Sequence, residues 1–173
     1  MAKGMTSPTV RLASTAPIAL TPGSTRPAEK GSIMEALYTA EALATGAGRN
    51  GHVRTADGRL DLDLAMPPAL GGSGEGTNPE QLFASGYAAC FHSALQSVAR
   101  AQKIAISDSS VGAQVSIGEN GKGGFGLAVH LEVVLPGLEP AAAQALADAA
   151  HQVCPYSNAT RGNIEVIISV SDD

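Results

Sequence analysis

The chain has 173 residues and a formal net charge of −5, with 44% hydrophobic and only 3% aromatic residues. This length and this hydrophobic content predict one domain with a core of small and aliphatic side chains. An acidic chain with no basic run after position 30 is not typical of nucleic-acid-binding proteins, which need clustered cations. No segment reaches the roughly 18 apolar residues of a membrane span, and no secretory signal is evident. We therefore expect neither nucleic acid nor a membrane as a partner.

Residues 1–32 differ in composition from the rest of the chain. They are rich in Ser, Thr, Pro, Ala and Gly, and neither a period of two nor one of 3.6 runs through them. We interpret this segment as a disordered extension or an added leader, loosely similar to a transit peptide in its basic, acid-poor composition. The domain is then expected to span residues 33–173.

The sequence pattern of this domain predicts the element order β-β-β-α-β-β-α-β. A first strand ending near Thr45, a Gly-rich turn with Asn-Gly and a return strand over residues 52–55 form a hairpin, and alternating Leu residues predict a third strand at 60–64. After the central helix, two further strands form a hairpin, a helix over residues 140–153 ends before Pro155, and a last strand follows. Hairpin pairs with helices between them indicate an α+β fold with helices on one face of largely antiparallel sheets.

The segment of residues 76–98 predicts a long central helix that is buried on nearly every side. Asn78 can cap this helix, Pro79 suits its first position, and Gln81 completes a capping box. Apolar residues then recur at spacings of three and four with almost no charge among them. Cys90 lies in the middle of this helix and is one of only two cysteines in the chain.

The two cysteines are too few for a disulfide scaffold in a chain of this length. Cys90 alone is most simply a small buried hydrophobic residue. Cys154 lies at a helix end, before a turn-forming and partly polar stretch. If the two cysteines meet in the fold, they form either a static disulfide or a catalytic one, and a reducing cytoplasmic setting favours the catalytic disulfide.

A reactive thiolate in an apolar pocket needs a nearby cation, because burial alone raises the pKa of a thiol. Arginine suits this role, since it stays charged when it is desolvated. The candidates are Arg49, Arg54, Arg59, Arg100 and Arg161, and residue chemistry alone does not choose among them.

Glu80 is the carboxylate of the central helix. It can orient an arginine through a bidentate contact, or it can simply favour the first helical turn through the helix dipole. In a straight helix, Glu80 and Cys90 are about 15 Å apart along the axis. One site that uses both residues therefore needs a helix break near Gly86, a bridging Arg49, or a second chain.

The histidines give weaker signals. His151 and Cys154 lie one helical turn apart, but a zinc site needs about four ligands and no further Cys or paired His supports one. His92 points to the side of the helix opposite Cys90. We therefore expect no metal and no cofactor.

Two motifs contain the cysteines: GTNPEQLFASGYAACF at residues 76–91 and VCPYSNATRGNI at residues 153–164. Both resemble the cysteine motifs of the organic hydroperoxide resistance (Ohr) proteins in the OsmC/Ohr family. LYTAEALATGAGRNG at residues 37–51 is similar to the N-terminal hairpin of that family, and GFGLAVHLEVVLPG at residues 124–137 to its middle strand. The resemblance covers the chain from about residue 34 onward. It implies an OsmC/Ohr-like α+β fold and an intertwined homodimer with its sites at the interface.

The resemblance also implies a thiol-dependent peroxidase that reduces organic hydroperoxides to alcohols. By motif position, Cys90 is the peroxidatic and Cys154 the resolving cysteine, while Arg49 and Glu80 match the arginine and the carboxylate of the family. The implied cycle forms a sulfenic acid on Cys90, closes a Cys90–Cys154 disulfide, and reopens it with a lipoylated protein or another dithiol.

An apolar pocket is expected to favour lipid-like or aryl hydroperoxides over hydrogen peroxide. Its predicted lining is Phe83, Tyr87, Phe91 and Phe125. The alternatives to this function are a peroxide-responsive redox sensor, an OsmC-type peroxidase with a different substrate preference, and a binding module with structural cysteines.

Overall fold

The structure is a computed structural model that describes residues 35–173. The predicted extension over residues 1–32 and the first two positions of the predicted domain lie outside the described residues. The chain divides into two compact units, Met1–Asp63 and Leu64–Asp173.

Within the described residues, the predicted order of strands and helices is confirmed, with one further short helix. That helix begins at Pro155, the residue that we expected only to end the preceding helix. The bounds are β1 Ala42–Thr45, β2 His52–Thr55, β3 Asp61–Asp63, α1 Pro79–Gln102, β4 Ser110–Glu119, β5 Phe125–Val134, α2 Pro140–Val153, α3 Pro155–Thr160 and β6 Glu165–Ser171.

The first unit contains the antiparallel sheet β1-β2-β3. The predicted hairpin joins β1 to β2 through a short 3-10 turn, Gly48–Asn50. A side chain at Gly51 would place its Cβ 2.1 Å from the carbonyl oxygen of Thr45, so only glycine fits where the chain turns back. β1 ends at Thr45 as predicted, and residues 37–41 before it are not part of the strand. No residue in the range 35–63 is fully buried.

The second unit contains the sheet β4-β5-β6. β4 pairs with β5 as an antiparallel hairpin, from Ser110 opposite Val134 to Glu119 opposite Phe125. β6 pairs with β5 in parallel, which local periodicity did not predict. A parallel pair needs a long crossover between its strands, and here the crossover contains α2 and α3. Cys154 lies in this crossover, at the junction of the two helices.

The predicted start of the central helix is confirmed at α1. The side chain of Asn78 accepts a hydrogen bond from the backbone of Gln81 at 2.9 Å, and the Gln81 side chain accepts one from the backbone of Asn78 at 3.1 Å. Pro79 occupies the first helical position, where its missing N–H removes no helical hydrogen bond. These contacts satisfy the backbone N–H groups of Asn78 and Gln81 and fix where the helix begins.

The core of the second unit lies between the helices and one face of the sheet. α1 packs against β4, α2 and α3, and α2 also packs against β6. In this single chain, complete burial on α1 is limited to one face, because the sheet and the other helices cover only that side. The buried residues of α1 are Tyr87, Phe91, Ala94, Leu95 and Ala99, and those of β5 are Val129, Leu131 and Val133.

No helix in residues 35–173 is both long enough and apolar enough to cross a membrane.

Candidate active site

The two cysteines come together in the second unit. Cys90 lies near the middle of α1 and Cys154 lies between α2 and α3, and their Sγ atoms are 3.7 Å apart although 64 positions separate them in sequence. Both are free thiols. Cys154 is fully buried, whereas Cys90 is only partly buried. The two sulfur atoms are therefore close enough to react with each other, and only Cys90 is open to a molecule from solvent.

Cys154 is held by the two helices that meet at it. Its backbone N–H donates to the carbonyl of Ala150 at 2.9 Å and closes the last turn of α2. Its carbonyl accepts a hydrogen bond from the backbone of Asn158 at 2.9 Å and opens the first turn of α3. Pro155 then stands at the first position of α3, where proline is favoured. Pro155 thus sets the corner between two helices, and the Cys154 side chain points inward from that corner.

The surroundings of Cys90 in the second unit do not favour a thiolate. Burial raises the pKa of the Cys90 thiol, and this effect exceeds the opposing one from a hydrogen bond with the backbone of Tyr156, which lowers the pKa. A cation is needed to keep Cys90 ionised near neutral pH.

An aromatic cluster lies next to the cysteine pair. The ring centroids of Phe83, Tyr87 and Tyr156 are 5.6 to 5.9 Å apart, in edge-to-face or tilted arrangements. Tyr156 is 37% exposed and forms the outer part of this cluster. Tyr87 lies one helical turn before Cys90 and Tyr156 lies two positions after Cys154, so the cluster is built from the same two segments as the cysteine pair.

Gly86 makes room for this cluster. A Cβ at Gly86 would lie 2.8 Å from the hydroxyl oxygen of Tyr156 and 3.2 Å from the edge of its ring. Glycine weakens a helix interior by roughly 0.5–1 kcal/mol relative to alanine. α1 is continuous from Pro79 to Gln102, so a helix break does not explain the glycine. The close approach of the Tyr156 ring does explain it. Of the three alternatives for joining Glu80 and Cys90 in one site, a helix break near Gly86 is therefore excluded, and a bridging Arg49 and a second chain remain.

Three hydroxyl groups meet behind the cysteines. The Tyr87 hydroxyl lies 3.0 Å from the Ser157 Oγ and 3.2 Å from the Thr160 Oγ1. All three side chains are buried. These contacts join α1 to α3.

The corner between α2 and α3 has a second brace on its outer side. The Arg161 guanidinium donates to the carbonyl oxygen of His151 at 2.6 Å and to the Asn158 side chain at 2.8 Å. Burial and, to a smaller extent, the Arg161 charge lower the pKa of His151. His151 is therefore neutral near pH 7.

The remaining predicted site residues are Arg49, Glu80, Phe91 and Phe125. Arg49 is in the 3-10 turn of the first unit, and Glu80 is in the first turn of α1, about 15 Å along the axis from Cys90. Phe91 is fully buried in the core beneath α1. Phe125 begins β5 at the β4–β5 turn, where it is 70% exposed. In the second unit, the structure thus brings together Cys90, Cys154, Phe83 and Tyr87.

Sequence reasoning missed the contributions of Tyr156, Ser157, Thr160 and Gly86. Tyr, Ser, Asn and Thr after a proline look like turn residues, so the short helix α3 was not expected. One signal was present in the spacing: Ser157 and Thr160 are three positions apart and share one face of a helix. Among the described residues, no group of three or more His, Cys, Asp or Glu side chains is arranged to hold a metal ion.

Comparison with known proteins assigns this chain to a family. Residues 72–169 match the family described as OsmC-like protein. A relative named organic hydroperoxide resistance protein from Xanthomonas axonopodis pv. citri is 52% identical over 137 residues, which cover 78% of this chain and 95% of the relative.

Solved structures agree with this assignment. The crystal structure of an organic hydroperoxide resistance protein from Legionella pneumophila is 56% identical, with a TM-score of 0.76 over 79% of this chain and 99% of that chain. The crystal structure of OhrB from Bacillus subtilis is 50% identical, with a TM-score of 0.72 over 79% of this chain and all of the other. From its sequence, its fold and its relatives, the chain belongs to the OsmC/Ohr family, within the group of organic hydroperoxide resistance proteins.

Proposed function

We propose that this protein is a thiol-dependent peroxidase that reduces organic hydroperoxides to alcohols. The observation that carries the proposal is the pair of free thiols whose Sγ atoms are 3.7 Å apart, one partly exposed and one fully buried. A peroxide arriving from solvent meets Cys90 first. Cys154, which is fully buried and 3.7 Å from it, supports the proposal as the candidate for the resolving thiol. The names of the close relatives support the same class of substrate.

The proposed cycle has three steps. The Cys90 thiolate attacks the outer oxygen of the hydroperoxide, the O–O bond breaks, and the alcohol leaves with a proton while Cys90 becomes a sulfenic acid. The Cys154 thiol then attacks the Cys90 sulfur, water leaves, and a disulfide forms. An external dithiol reduces this disulfide by two exchange reactions and restores both thiols. A lipoylated protein is the reductant that we propose.

Arg49 is the proposed cation for the first step. Burial raises the pKa of Cys90, so the thiolate must be stabilised by a charge outside its immediate helix neighbours. The resemblance assigns this role to Arg49, with Glu80 orienting the guanidinium through a bidentate contact. Either this chain or a second copy can supply Arg49 in this proposal.

The proposed substrates are lipid-like or aryl hydroperoxides. An apolar group next to the peroxide would pack against the ring of Phe83 and the partly exposed ring of Tyr156. Tyr87 completes the same cluster from inside the core. Phe91, which is fully buried, and Phe125, which is 70% exposed at the β4–β5 turn, remain predicted lining residues of this pocket.

We further propose that the protein acts as a homodimer in the cytoplasm. In the single chain, Leu37 is 99% and Tyr38 is 81% exposed, and a second copy would remove this apolar surface from water. A reducing compartment would keep the cysteine pair available as a dithiol.

The test measures consumption of cumene hydroperoxide with dihydrolipoamide as the reductant, beside a parallel reaction with thioredoxin. We expect turnover with dihydrolipoamide, none with Cys90→Ser, and a single round of reduction with Cys154→Ser. Cys154→Ser is the matched control, because it removes the other thiol of the pair. If Cys90→Ser still consumed the hydroperoxide at the wild-type rate, the proposed function would be wrong.

A further inference from the structure

The buried hydroxyl cluster joins the two segments that carry the reacting sulfurs. Tyr87 lies one helical turn before Cys90 on α1, and Ser157 lies three positions after Cys154 on α3. The Tyr87 hydroxyl contacts Ser157 at 3.0 Å and Thr160 at 3.2 Å, across 70 and 73 positions of sequence. We refer to Tyr87, Ser157 and Thr160 as the hydroxyl lock.

The three hydroxyl groups can satisfy one another completely. The Thr160 hydroxyl donates to the carbonyl of Tyr156 at 2.9 Å, with the carbonyl of Ser157 at 3.2 Å as a second acceptor. Thr160 can then accept from Tyr87, and the Tyr87 oxygen can accept from Ser157. Each donor has an acceptor in this arrangement. Removal of one hydroxyl leaves a buried partner without its hydrogen bond, which costs more than the net value of one bond.

The hydroxyl lock fixes α3 against α1, and α3 carries two contacts with Cys90. Cys154, directly before α3, places its Sγ 3.7 Å from the Cys90 Sγ. Tyr156, within α3, supplies the backbone hydrogen bond to the Cys90 sulfur. α3 is a short helix of six residues. Any displacement of α3 therefore displaces both Cys154 and the backbone of Tyr156 from Cys90.

We propose that Tyr87, Ser157 and Thr160 are positioning residues that hold Cys154 within reach of Cys90, so that disulfide closure outruns a second oxidation of Cys90. This inference rests on the proposed peroxidase function. The two outcomes compete at the Cys90 sulfenic acid. In closure, the Cys154 sulfur bonds to the Cys90 sulfur, the S–O bond breaks, and hydroxide leaves as water with the Cys154 proton. In the second oxidation, another hydroperoxide transfers its oxygen to Cys90, giving a sulfinic acid and a second alcohol.

The present separation allows closure without movement of α3. A disulfide bond is about 2.05 Å long, so the sulfurs that now lie 3.7 Å apart need to approach by less than the reach of a side-chain rotation. If α3 moves away from α1, the local concentration of Cys154 at Cys90 falls. Small misplacements of reacting groups reduce rates strongly. The reaction of Cys90 with the first hydroperoxide does not involve Cys154.

The first experiment compares Thr160→Val with Thr160→Ser, which retains the hydroxyl. Each protein turns over cumene hydroperoxide with dihydrolipoamide, and intact mass spectrometry measures the sulfinic acid formed on Cys90 per turnover. We expect about fivefold to tenfold more sulfinic acid per turnover in Thr160→Val, and wild-type behaviour in Thr160→Ser.

Two further variants separate positioning from loss of stability. Tyr87→Phe removes the lock from the α1 side and is expected to raise sulfinic acid formation as Thr160→Val does. Ser169→Ala removes a hydroxyl that bonds His130 at 2.8 Å in the sheet β4-β5-β6, away from the cysteines. Circular dichroism checks that each variant is folded. If Thr160→Val is not folded, the sulfinic acid formed by Tyr87→Phe decides whether the inference holds. An equal rise in Ser169→Ala would overturn the inference.

The second experiment does not depend on peroxidase activity. Glutathione redox buffers oxidise the two thiols while oxidised glutathione is reduced, and the equilibrium constant of the Cys90–Cys154 disulfide is read from the fraction of free thiols. We expect this constant to fall about fivefold in Thr160→Val and Tyr87→Phe, and to stay unchanged in Thr160→Ser.

The two experiments distinguish the two proposals. A wild-type protein that does not consume hydroperoxide would overturn the proposed function, and the redox equilibrium would still decide on the lock. A wild-type protein that does consume hydroperoxide, with unchanged sulfinic acid formation and redox equilibrium in Thr160→Val and Tyr87→Phe, would overturn the lock alone.

Discussion

The two sheets of the molecule differ in what their side chains contact. In the first unit, β1, β2 and β3 are three or four residues long, and no residue in the range 35–63 is fully buried. In the second unit, β4 and β5 are ten residues long, and one face of β5 is buried beneath the helices. Both sheets arise from alternating apolar residues, but only the second has a covering layer within its own unit.

This difference concerns how the two units contribute to folding stability and to the proposed reaction. Burial of apolar area is the main favourable term in folding, and nearly all of it occurs in the second unit, which also holds both sulfurs. The first unit contributes the arginine that we propose for the thiolate. Truncation of an apolar side chain should therefore cost more stability in the second unit than in the first, and loss of Arg49 in the first unit should lower activity.

The largest effect is expected from a core truncation in the second unit. Leu131 is fully buried on β5, and Leu131→Ala should lower the free energy of unfolding by about 3 kcal/mol, because it removes packed methyl groups and leaves a cavity. Leu60→Ala in the first unit, where Leu60 is 48% exposed, should cost less than about 1 kcal/mol. Urea unfolding followed by circular dichroism gives both values. Equal costs would contradict the contrast between the two units.

A second effect should appear in activity without a change in stability. Arg49→Gln should slow the reaction of Cys90 with cumene hydroperoxide by about a hundredfold at pH 7, because it removes the cation that we propose for the thiolate. Without the cation, burial keeps the pKa of Cys90 raised, so most of the thiol is protonated at pH 7. The rate should therefore recover at higher pH, where the thiol ionises. Stopped-flow kinetics between pH 6 and pH 10 measures this, with Arg49→Lys as the charge-retaining control. An unchanged pH profile would exclude this role of Arg49.

The third effect concerns assembly. Leu37→Ser should raise the dissociation constant of the proposed homodimer by about thirtyfold, because each of the two copies loses about 1 kcal/mol of apolar burial. Ile167→Ser is the matched control, since Ile167 is 53% exposed on β6 of the second unit. Sedimentation equilibrium gives both constants. If Ile167→Ser dissociated the dimer and Leu37→Ser did not, the interface would lie on the second unit.

The smallest effects are opposite pH dependences of two histidines. In the first unit, His52 contacts the Asp63 and Asp61 carboxylates at 2.9 Å each, and chiefly the Asp63 hydrogen bond raises its pKa above 6.5. In the second unit, burial lowers the pKa of His151 below 6.5. His52 thus stabilises the fold below pH 6.5 and loses this effect as the pH rises through its raised pKa. His151 destabilises the fold as the pH falls below 6.5, because the unfolded state then binds the proton more readily.

NMR titration of the imidazole C–H signals measures both values directly. Asp63→Asn should return the pKa of His52 toward 6.5, since it removes the largest cause of the shift. Arg161→Gln should raise the pKa of His151 only in part, because burial is the larger cause there. Shifts of both histidines in the same direction would contradict the contrast.

Local patterns were sufficient for much of the fold. The caps of α1 were predictable because Asn78, Pro79 and Gln81 act within one turn of the chain. The hairpins were predictable because glycine-containing turns and alternation are also local. The parallel pairing of β6 with β5 was not, since it depends on a crossover whose direction no short segment specifies.

The candidate site shows the same limit. The cysteine motifs assign Cys90 and Cys154, but their contact across 64 positions arises only from tertiary packing. Gly86 looked like a possible break because its partner, the Tyr156 ring, is distant in sequence. Ser157 and Thr160 looked like turn residues, because a hydroxyl shows its role only when a buried partner such as Tyr87 is known.

The long sequence separation of the cysteines has a consequence for heat resistance. A disulfide between Cys90 and Cys154 would close a loop of 64 positions, and loop-closure entropy predicts about 4 kcal/mol of stabilisation for a loop of that size. The oxidised protein should then melt at a higher temperature than the reduced protein. Each round of reduction by a dithiol would return the chain to its less heat-resistant form. A melting curve would therefore report the fraction of the protein that is in the disulfide form.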